Sequence, residues 1–257
     1  MKKKHTTFID RTGEIHITNE GYEGVITECF GNKNCTFEFK NGYVLRGIRY
    51  DIIKNGKIKN PYHKSVFGTG YMGVGRHTSS INNCITKSYA IWRGVIARGY
   101  DKKFKEKYST YKGVTVCEEW HNFQNFAEWF EENWKPWMNS KWHLDKDILT
   151  KGNKIYSPET CGFVPRHLNL LFTKNDAFRG DFPIGVYYDK RNKKFIASIR
   201  INSKTIYIGS FDTPKEAFKA YKTAKEGEIK RGADEWKLYI ELRVYQAMYN
   251  YVVEITD

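Results

Sequence analysis

The stretch from Gly185 to Gly227, GVYYDKRNKKFIASIRINSKTIYIGSFDTPKEAFKAYKTAKEG, restricts the fold more than any other part of the chain. Phe195-Ile-Ala-Ser-Ile-Arg200 alternates in the manner of a strand, and Thr205-Ile-Tyr-Ile-Gly-Ser-Phe211 is a second β-rich run. A helix start is written directly after them: Thr213 at the cap, Pro214 in the first turn and Glu216 completing a capping box. Ala217, Ala220, Tyr221 and Ala224 then form a narrow stripe of mostly small residues, which suits a helix lying close against a sheet. From Tyr187 to Lys204 the chain carries six bases (Lys190, Arg191, Lys193, Lys194, Arg200 and Lys204) against one acid, Asp189. A basic sheet with aromatic and polar residues on its open face is a platform for nucleic acid.

These residues stand in the order of a known pattern. Gly185-Val186, Ala197, Ile199-Arg200, Gly209, Phe211, Thr213, Glu216-Ala217 and Ala220-Tyr221 resemble the APETALA/ethylene-response-factor type DNA-binding domain. Phe195 and Tyr207 stand where tryptophans are common, and Ser198 where an acid is usual. In that family the sheet enters the major groove. The resemblance therefore implies Tyr187, Arg191, Lys194, Arg200 and Tyr207 as contacts to DNA, with Lys190 and Lys204 of the same basic run beside them. It carries no target sequence.

Composition agrees with a polyanionic partner. The chain has 257 residues, with 43 bases against 29 acids and a formal charge of +14, so salt-sensitive nucleic-acid binding is the default expectation. No apolar run approaches the length of a membrane span, and MKKKHTTFID lacks the apolar centre of a signal peptide. The expected setting is cytoplasmic, that of a bacterial host cell if the gene is a phage's, with no membrane partner. Cys29, Cys35, Cys84, Cys117 and Cys161 form no CxxC and no zinc spacing, so reduced, mostly buried thiols are expected.

The predicted fold class is α+β and multidomain, in three parts. Residues 1–75 read as a β-rich module, a small barrel-like unit, with strands over Tyr22–Phe30 and Cys35–Tyr50 broken at Gly31-Asn32-Lys33-Asn34 and Asn41-Gly42. Gly68-Thr-Gly-Tyr-Met-Gly73 matches GxGxxG in letters. It follows a Pro-containing loop and opens no helix, so it reads as an interdomain turn. Residues 76–175 turn helical: Tyr89–Tyr100 has a helical pattern, and Trp120, Phe123, Phe126, Ala127 and Phe130 make a helical core stripe. Residues 176–257 hold the antiparallel sheet packed on one helix, followed by a last helix predicted over Trp236–Val252.

The stretch His143–Asn169 stands apart. Its order is an acid-bearing strand, a Gly152-Asn153 loop, a Ser157-Pro-Glu-Thr160 turn, a short apolar strand at Phe163-Val164, and polar residues opening a helix. This order resembles the ββα-metal unit of HNH endonucleases in the form found in phage homing endonucleases. The resemblance implies Asp145 and Asn169 as ligands of Mg2+ or a similar divalent ion. Lys146 occupies the place of the catalytic histidine and Thr160 that of the central asparagine. A lysine is ordinarily protonated and would hold phosphate rather than activate water, so His143 is the candidate replacement as base or ligand. The candidate catalytic set is therefore His143, Asp145, Lys146, Thr160 and Asn169.

Two functions remain open from these parts. One is a homing-endonuclease-like protein that binds double-stranded DNA and hydrolyses phosphodiester bonds with a divalent ion. The other is a catalytically degenerate DNA-binding regulator or counter-defence protein of a phage or mobile element, which the Lys146 and Thr160 replacements favour. A protein-interaction adaptor requires the +14 charge to be incidental.

Overall fold

The computed structural model describes residues 9–173, 181–201 and 204–255, and the fold is α+β with several small sheets. The segment boundary read at 175/176 lies outside the described residues, as does most of the lysine-rich start. Among the described residues no helix is long and apolar enough to cross a membrane.

The first sheet is an antiparallel meander of β1 (Ile15–Ile17), β2 (Glu23–Cys29), β3 (Cys35–Phe39) and β4 (Val44–Ile48), in that order. The glycines at both predicted turns adopt left-handed backbone, Gly31 at φ +87° and Gly42 at φ +82°. The expected barrel does not close, because β1 and β4 remain separate edges. Instead Ile53 of the short helix α1 (Tyr50–Lys54) and Ile58 complete a core with Ile26, Phe37 and Phe39. Apolar side chains beyond the last strand thus seal a sheet that strand pairing leaves open.

The cysteine expectation needs correcting. Antiparallel register sets Cys29 directly opposite Cys35 across β2 and β3, and the two are joined in a disulfide. Cys84 is a free thiol on the surface, and Cys117 is half-buried. Only Cys161 fits the expected picture fully: it is free and buried, with its pKa pushed up to about 12 by burial.

The central unit gathers around one large aromatic core. A hairpin of β5 (Ser80–Ile81) and β6 (Cys84–Ile85) leads into α2 (Lys87–Tyr100), followed by α3 (Lys102–Lys107), β7 (Thr115–Val116) and α4 (Phe123–Asn133). The helical stripe is buried as expected, although Trp120 sits in a 3-10 turn ahead of α4. On α2 the buried face is Trp92, Val95, Ile96 and Gly99, and the Trp92 indole donates to the Trp120 carbonyl at 2.7 Å. The Gly68–Gly73 loop packs onto this unit, where a Cβ on Gly70 would stand 2.9 Å from Trp92. Next come β8 (Trp142–Asp145), β9 (Ile155–Tyr156), β10 (Gly162–Pro165) and the single-turn α5 (Arg166–Asn169). β8 pairs antiparallel with β10, while β9 pairs parallel with β7.

The last sheet is β11 (Val186–Asp189), β12 (Lys194–Ile201) and β13 (Lys204–Phe211), all antiparallel, backed by α6 (Pro214–Trp236). The capping box forms: the Thr213 hydroxyl accepts from the Glu216 amide at 3.2 Å, and the Glu216 carboxylate accepts from the Thr213 amide at 3.2 Å. Ala217 and Tyr221 bury against Ala197 and Ile199. Gly185, at φ +75°, lies so close under the Tyr221 ring that a Cβ there would stand 2.1 Å away.

With 23 residues, α6 runs for about 35 Å. Its first half belongs to the sheet core, and its second half, Ile229 and Ala233, belongs to the aromatic core of the central unit. One helix therefore ties the two units into one body. The helix predicted over Trp236–Val252 starts later and is shorter: Trp236 is the last residue of α6, and the helix itself is α7 (Leu242–Tyr249), whose Val244 and Met248 enter the central core. Leu238 and Leu242 stay outside, 86% and 67% exposed. Gly227 lies exposed in the middle of α6, and a Cβ there meets nothing within 4 Å. Gly227→Ala is expected to raise stability by about 0.5–1 kcal/mol, read as a higher denaturation midpoint with an unchanged urea m-value.

Candidate nucleic-acid interface

The register of the last sheet decides which side chains face outward. Cross-strand partners share a face. Val186 pairs with Ala197, Ala197 with Gly209, and Phe195 with Phe211, and these lie against α6. The opposite face carries three rows: Tyr187, Ile196 and Ser210; Ser198 and Tyr207; Arg200 and Thr205. A bulge between Ala197 and Ser198 brings Ser198 opposite Tyr207. Tyr187 and Tyr207 are 52% and 62% exposed, and the Arg200 side chain is exposed as well.

The other four expected contacts sit at the ends of the sheet. Lys190 and Arg191 lie on the turn after β11, which Asp189 organises by accepting from the Arg191 amide at 2.9 Å. Those hydrogen bonds, from the Asn192 side chain and the Arg191 amide, hold the Asp189 pKa below the usual carboxylate range. Lys194 is ion-paired with Asp212, so its charge is partly spent. Lys204 opens β13 at the far end and is exposed. The structure thus brings Tyr187, Arg200 and Tyr207 onto one face, with Lys190 and Arg191 at one end of the sheet and Lys204 at the other.

The strand–loop–strand–helix order of His143–Asn169 is present as β8, β10 and α5, but its polar residues are largely committed within the loop. Strand β8 ends at Asp145, so His143 and Asp145 share its face while Asp147 lies in the turn. The Asp145 Oδ1 accepts from the amides of Asp147 and Ile148, both at 2.7 Å. Burial raises the Asp145 pKa, with those amides opposing the rise.

Lys146 does not point toward a phosphate. It is buried, and its Nζ donates to both Asp147 carboxylate oxygens at 2.7 Å and to the Asn153 carbonyl at 2.6 Å. Asn153 returns the contact through Nδ2 to the Lys146 carbonyl at 2.9 Å. Thr160 holds its own turn, donating to the Ile155 carbonyl at 2.7 Å and accepting from the Ser157 amide at 3.2 Å. Asn169 ends α5 half-buried, and its carbonyl accepts from the Phe172 amide and the Thr173 hydroxyl.

This donor set does not fit a divalent cation well. Hard cations take several oxygen ligands, and one Asp145 oxygen is already occupied by two amides. Among the described residues no three His, Cys, Asp or Glu side chains are placed to share an ion. The loop is further clamped from α7, where Arg243 donates to the carbonyls of Pro158, Glu159 and Cys161 at 2.8–3.0 Å.

Sequence reasoning missed two basic residues beside this unit, Arg98 at the end of α2 and Arg166 at the start of α5. Both act on His143. Burial first, then the charges of Arg166 and Arg98, lower the His143 pKa below the usual imidazole range. Nothing in the local patterns of the two arginines marks them. No protein-family model, curated protein or solved structure matches this chain.

Proposed function

We propose that this chain binds double-stranded DNA by inserting the open face of β11–β13 into the major groove. The observation that carries the reading is that face itself. Tyr187, Ser198, Arg200, Thr205 and Tyr207 stand in register on one side of a sheet whose other side packs on α6 through Ala197 and Ile199. Strands about 4.8 Å apart give a three-stranded sheet roughly 10 Å across between its outer strands, comparable with the ~12 Å groove. Arginine, hydroxyl and aromatic groups are the types that read base edges, while Lys190, Arg191 and Lys204 suit phosphates. The +14 charge supplies the non-specific attraction.

In this reading the ββα unit is a rigid shoulder for α6 and not a hydrolase. The inward Lys146 and the amide-bound Asp145 support that assignment. The nuclease reading retains one specific support, the shared β8 face of His143 and Asp145.

The test is a selection of bound duplexes from a random pool with the full chain, then incubation of the winning duplex with Mg2+ or Mn2+. An enriched sequence that is bound and left intact is the expected result. Absence of duplex affinity at low salt sinks the proposal and promotes a protein-interaction role. Metal-dependent nicking lost in Asp145→Asn would transfer the chain to the nuclease reading.

A further inference from the structure

Two segments that duplex binding leaves unused meet at the first sheet. One is the Asn41-Gly42 turn between β3 and β4, and the other is the basic loop from Lys57 to Lys64. Between them lies an open hollow of about 390 Å³, lined by Asn41, Gly42, Tyr43 and Tyr62. The Tyr43 and Tyr62 ring centroids are 5.9 Å apart, with the rings perpendicular at 87°. Phe39 stacks on Tyr43 at 6.0 Å, and Tyr71 supports Tyr62 at 5.9 Å. Tyr62 still keeps 41% of its surface exposed, and the core of the first sheet closes without it.

Both rings are held by bonded backbone. The Tyr62 amide donates to the Asn60 side chain at 2.9 Å, and the Asn60 amide donates to the Glu20 carboxylate at 3.1 Å. The Pro61 carbonyl accepts from the Gly73 amide at 2.9 Å. On the other wall, Asn41 Oδ1 accepts from the Tyr43 amide at 3.2 Å. That bond orients the Asn41 amide and leaves its Nδ2 without a partner among the described residues. A hollow whose walls are fixed before a guest arrives loses little freedom on binding.

The charges around the hollow select the guest. Its lining holds no carboxylate. Lys59 and Lys64, on either side of Tyr62 in sequence, are exposed and have no acidic partner among the described residues. A cationic guest would meet the rings but would be repelled by these lysines. A nucleobase is neutral and planar, stacks on tyrosine, and presents edge acceptors to the Asn41 Nδ2. The phosphates beside that base suit Lys59 and Lys64. A base within a duplex is stacked between its neighbours, so only an unpaired base can enter.

We propose that Asn41, Tyr43 and Tyr62 form a pocket for one unpaired nucleobase, a second nucleic-acid site that does not depend on the major-groove role of β11–β13. The chemistry is the same for a base in a single strand and for a free nucleotide.

The test uses the full chain and a short fluorescent oligothymidylate, compared with an abasic strand of equal length and charge. Wild type is expected to bind the base-bearing strand about 5–100-fold more tightly, the range for stacking a base on an aromatic side chain. Tyr62→Ala should lose that preference and keep the slope of log K against log salt, because no phosphate contact is removed. Tyr62→Phe retains the ring and should retain the preference. Both variants should match wild type on the abasic strand, which reports an intact fold.

Thymidine monophosphate as competitor separates the two sources. Tyr62-dependent displacement of the strand assigns a free nucleotide, and preference for the strand without displacement assigns a single strand. Equal wild-type affinity for the base-bearing and abasic strands overturns the pocket, as does full preference in Tyr62→Ala. Tyr62-dependent binding of tetramethylammonium, with no preference between the strands, overturns it in favour of a cation. Loss of duplex affinity alone overturns the role of β11–β13 and leaves this pocket standing.

Discussion

Asp145→Ala is expected to lower stability by about 2–4 kcal/mol in metal-free buffer. The Asp145 carboxylate accepts two backbone amides at 2.7 Å at the point where β8 turns into its loop. Hydrogen bonds to charged groups contribute roughly 1.5–3 kcal/mol each, and their loss leaves two donors inside the turn unsatisfied. The cost of burying the charge offsets part of this. Asp145→Asn separates the two effects, because it keeps the acceptor oxygen and removes the buried charge. Its stability at neutral pH is expected to equal or exceed that of wild type.

The pH dependence follows from the sign of the shift. Burial raises the Asp145 pKa in the folded state, so the native protein takes up this proton before the unfolded chain does. The contribution of the group is largest below its unfolded pKa and falls as pH rises through the folded one. Urea denaturation from about pH 4 to pH 7 should therefore show wild type losing ground to Asp145→Asn as pH rises. A ligand carboxylate held ready for a metal predicts the reverse for alanine: removing it without metal would cost little. Equal stability of Asp145→Ala and wild type in chelator would restore the metal-ligand role.

Local chemistry was legible and long-range pairing was not. Thr213, Pro214 and Glu216 announce the start of α6 because capping is settled within four residues. The aromatic stripe from Trp120 to Phe130 announces its buried face because helical periodicity is local too. The sheet–helix unit was visible for both reasons. The Cys29–Cys35 bond depends on the register of two strands around a turn, and no spacing motif carries that information. Barrel closure failed for a similar reason: whether β1 meets β4 depends on what Ile53 and Ile58 cover.

Lys146 is the instructive residue of the candidate site. In the place of the pattern's catalytic histidine it reads as a base that holds phosphate, yet Asp147 and the Asn153 carbonyl draw it inside. Motif position alone could not distinguish an ammonium aimed at phosphate from one that staples a loop. Arg98 shows the converse. It lies 45 residues before His143, and only the packing of α2 on β7 brings its charge to bear on that imidazole.

Arg200→Ala combined with Tyr207→Ala is expected to remove sequence preference while leaving the fold intact. The two side chains occupy successive rows of the open face and are exposed, so their loss uncovers no core. A well-placed arginine on a base edge is worth about 1–3 kcal/mol of discrimination, or roughly 10–100-fold. Tyr207, on the neighbouring row, adds packing and a hydroxyl in the groove. The double variant should bind the selected duplex about as weakly as an unrelated duplex of the same length. Its residual affinity should keep a steep salt dependence, because the phosphate contacts remain. Lys190→Gln with Arg191→Gln is the matched control. Those exposed turn residues should weaken selected and unrelated duplexes by a similar factor and reduce the salt slope by about two contacts, near 1.8. Competition titrations with both duplexes at two salt concentrations measure all four quantities. If the Arg200/Tyr207 variant kept full preference for the selected duplex, sequence would be read elsewhere, and the open face of β11–β13 would lose its assigned role.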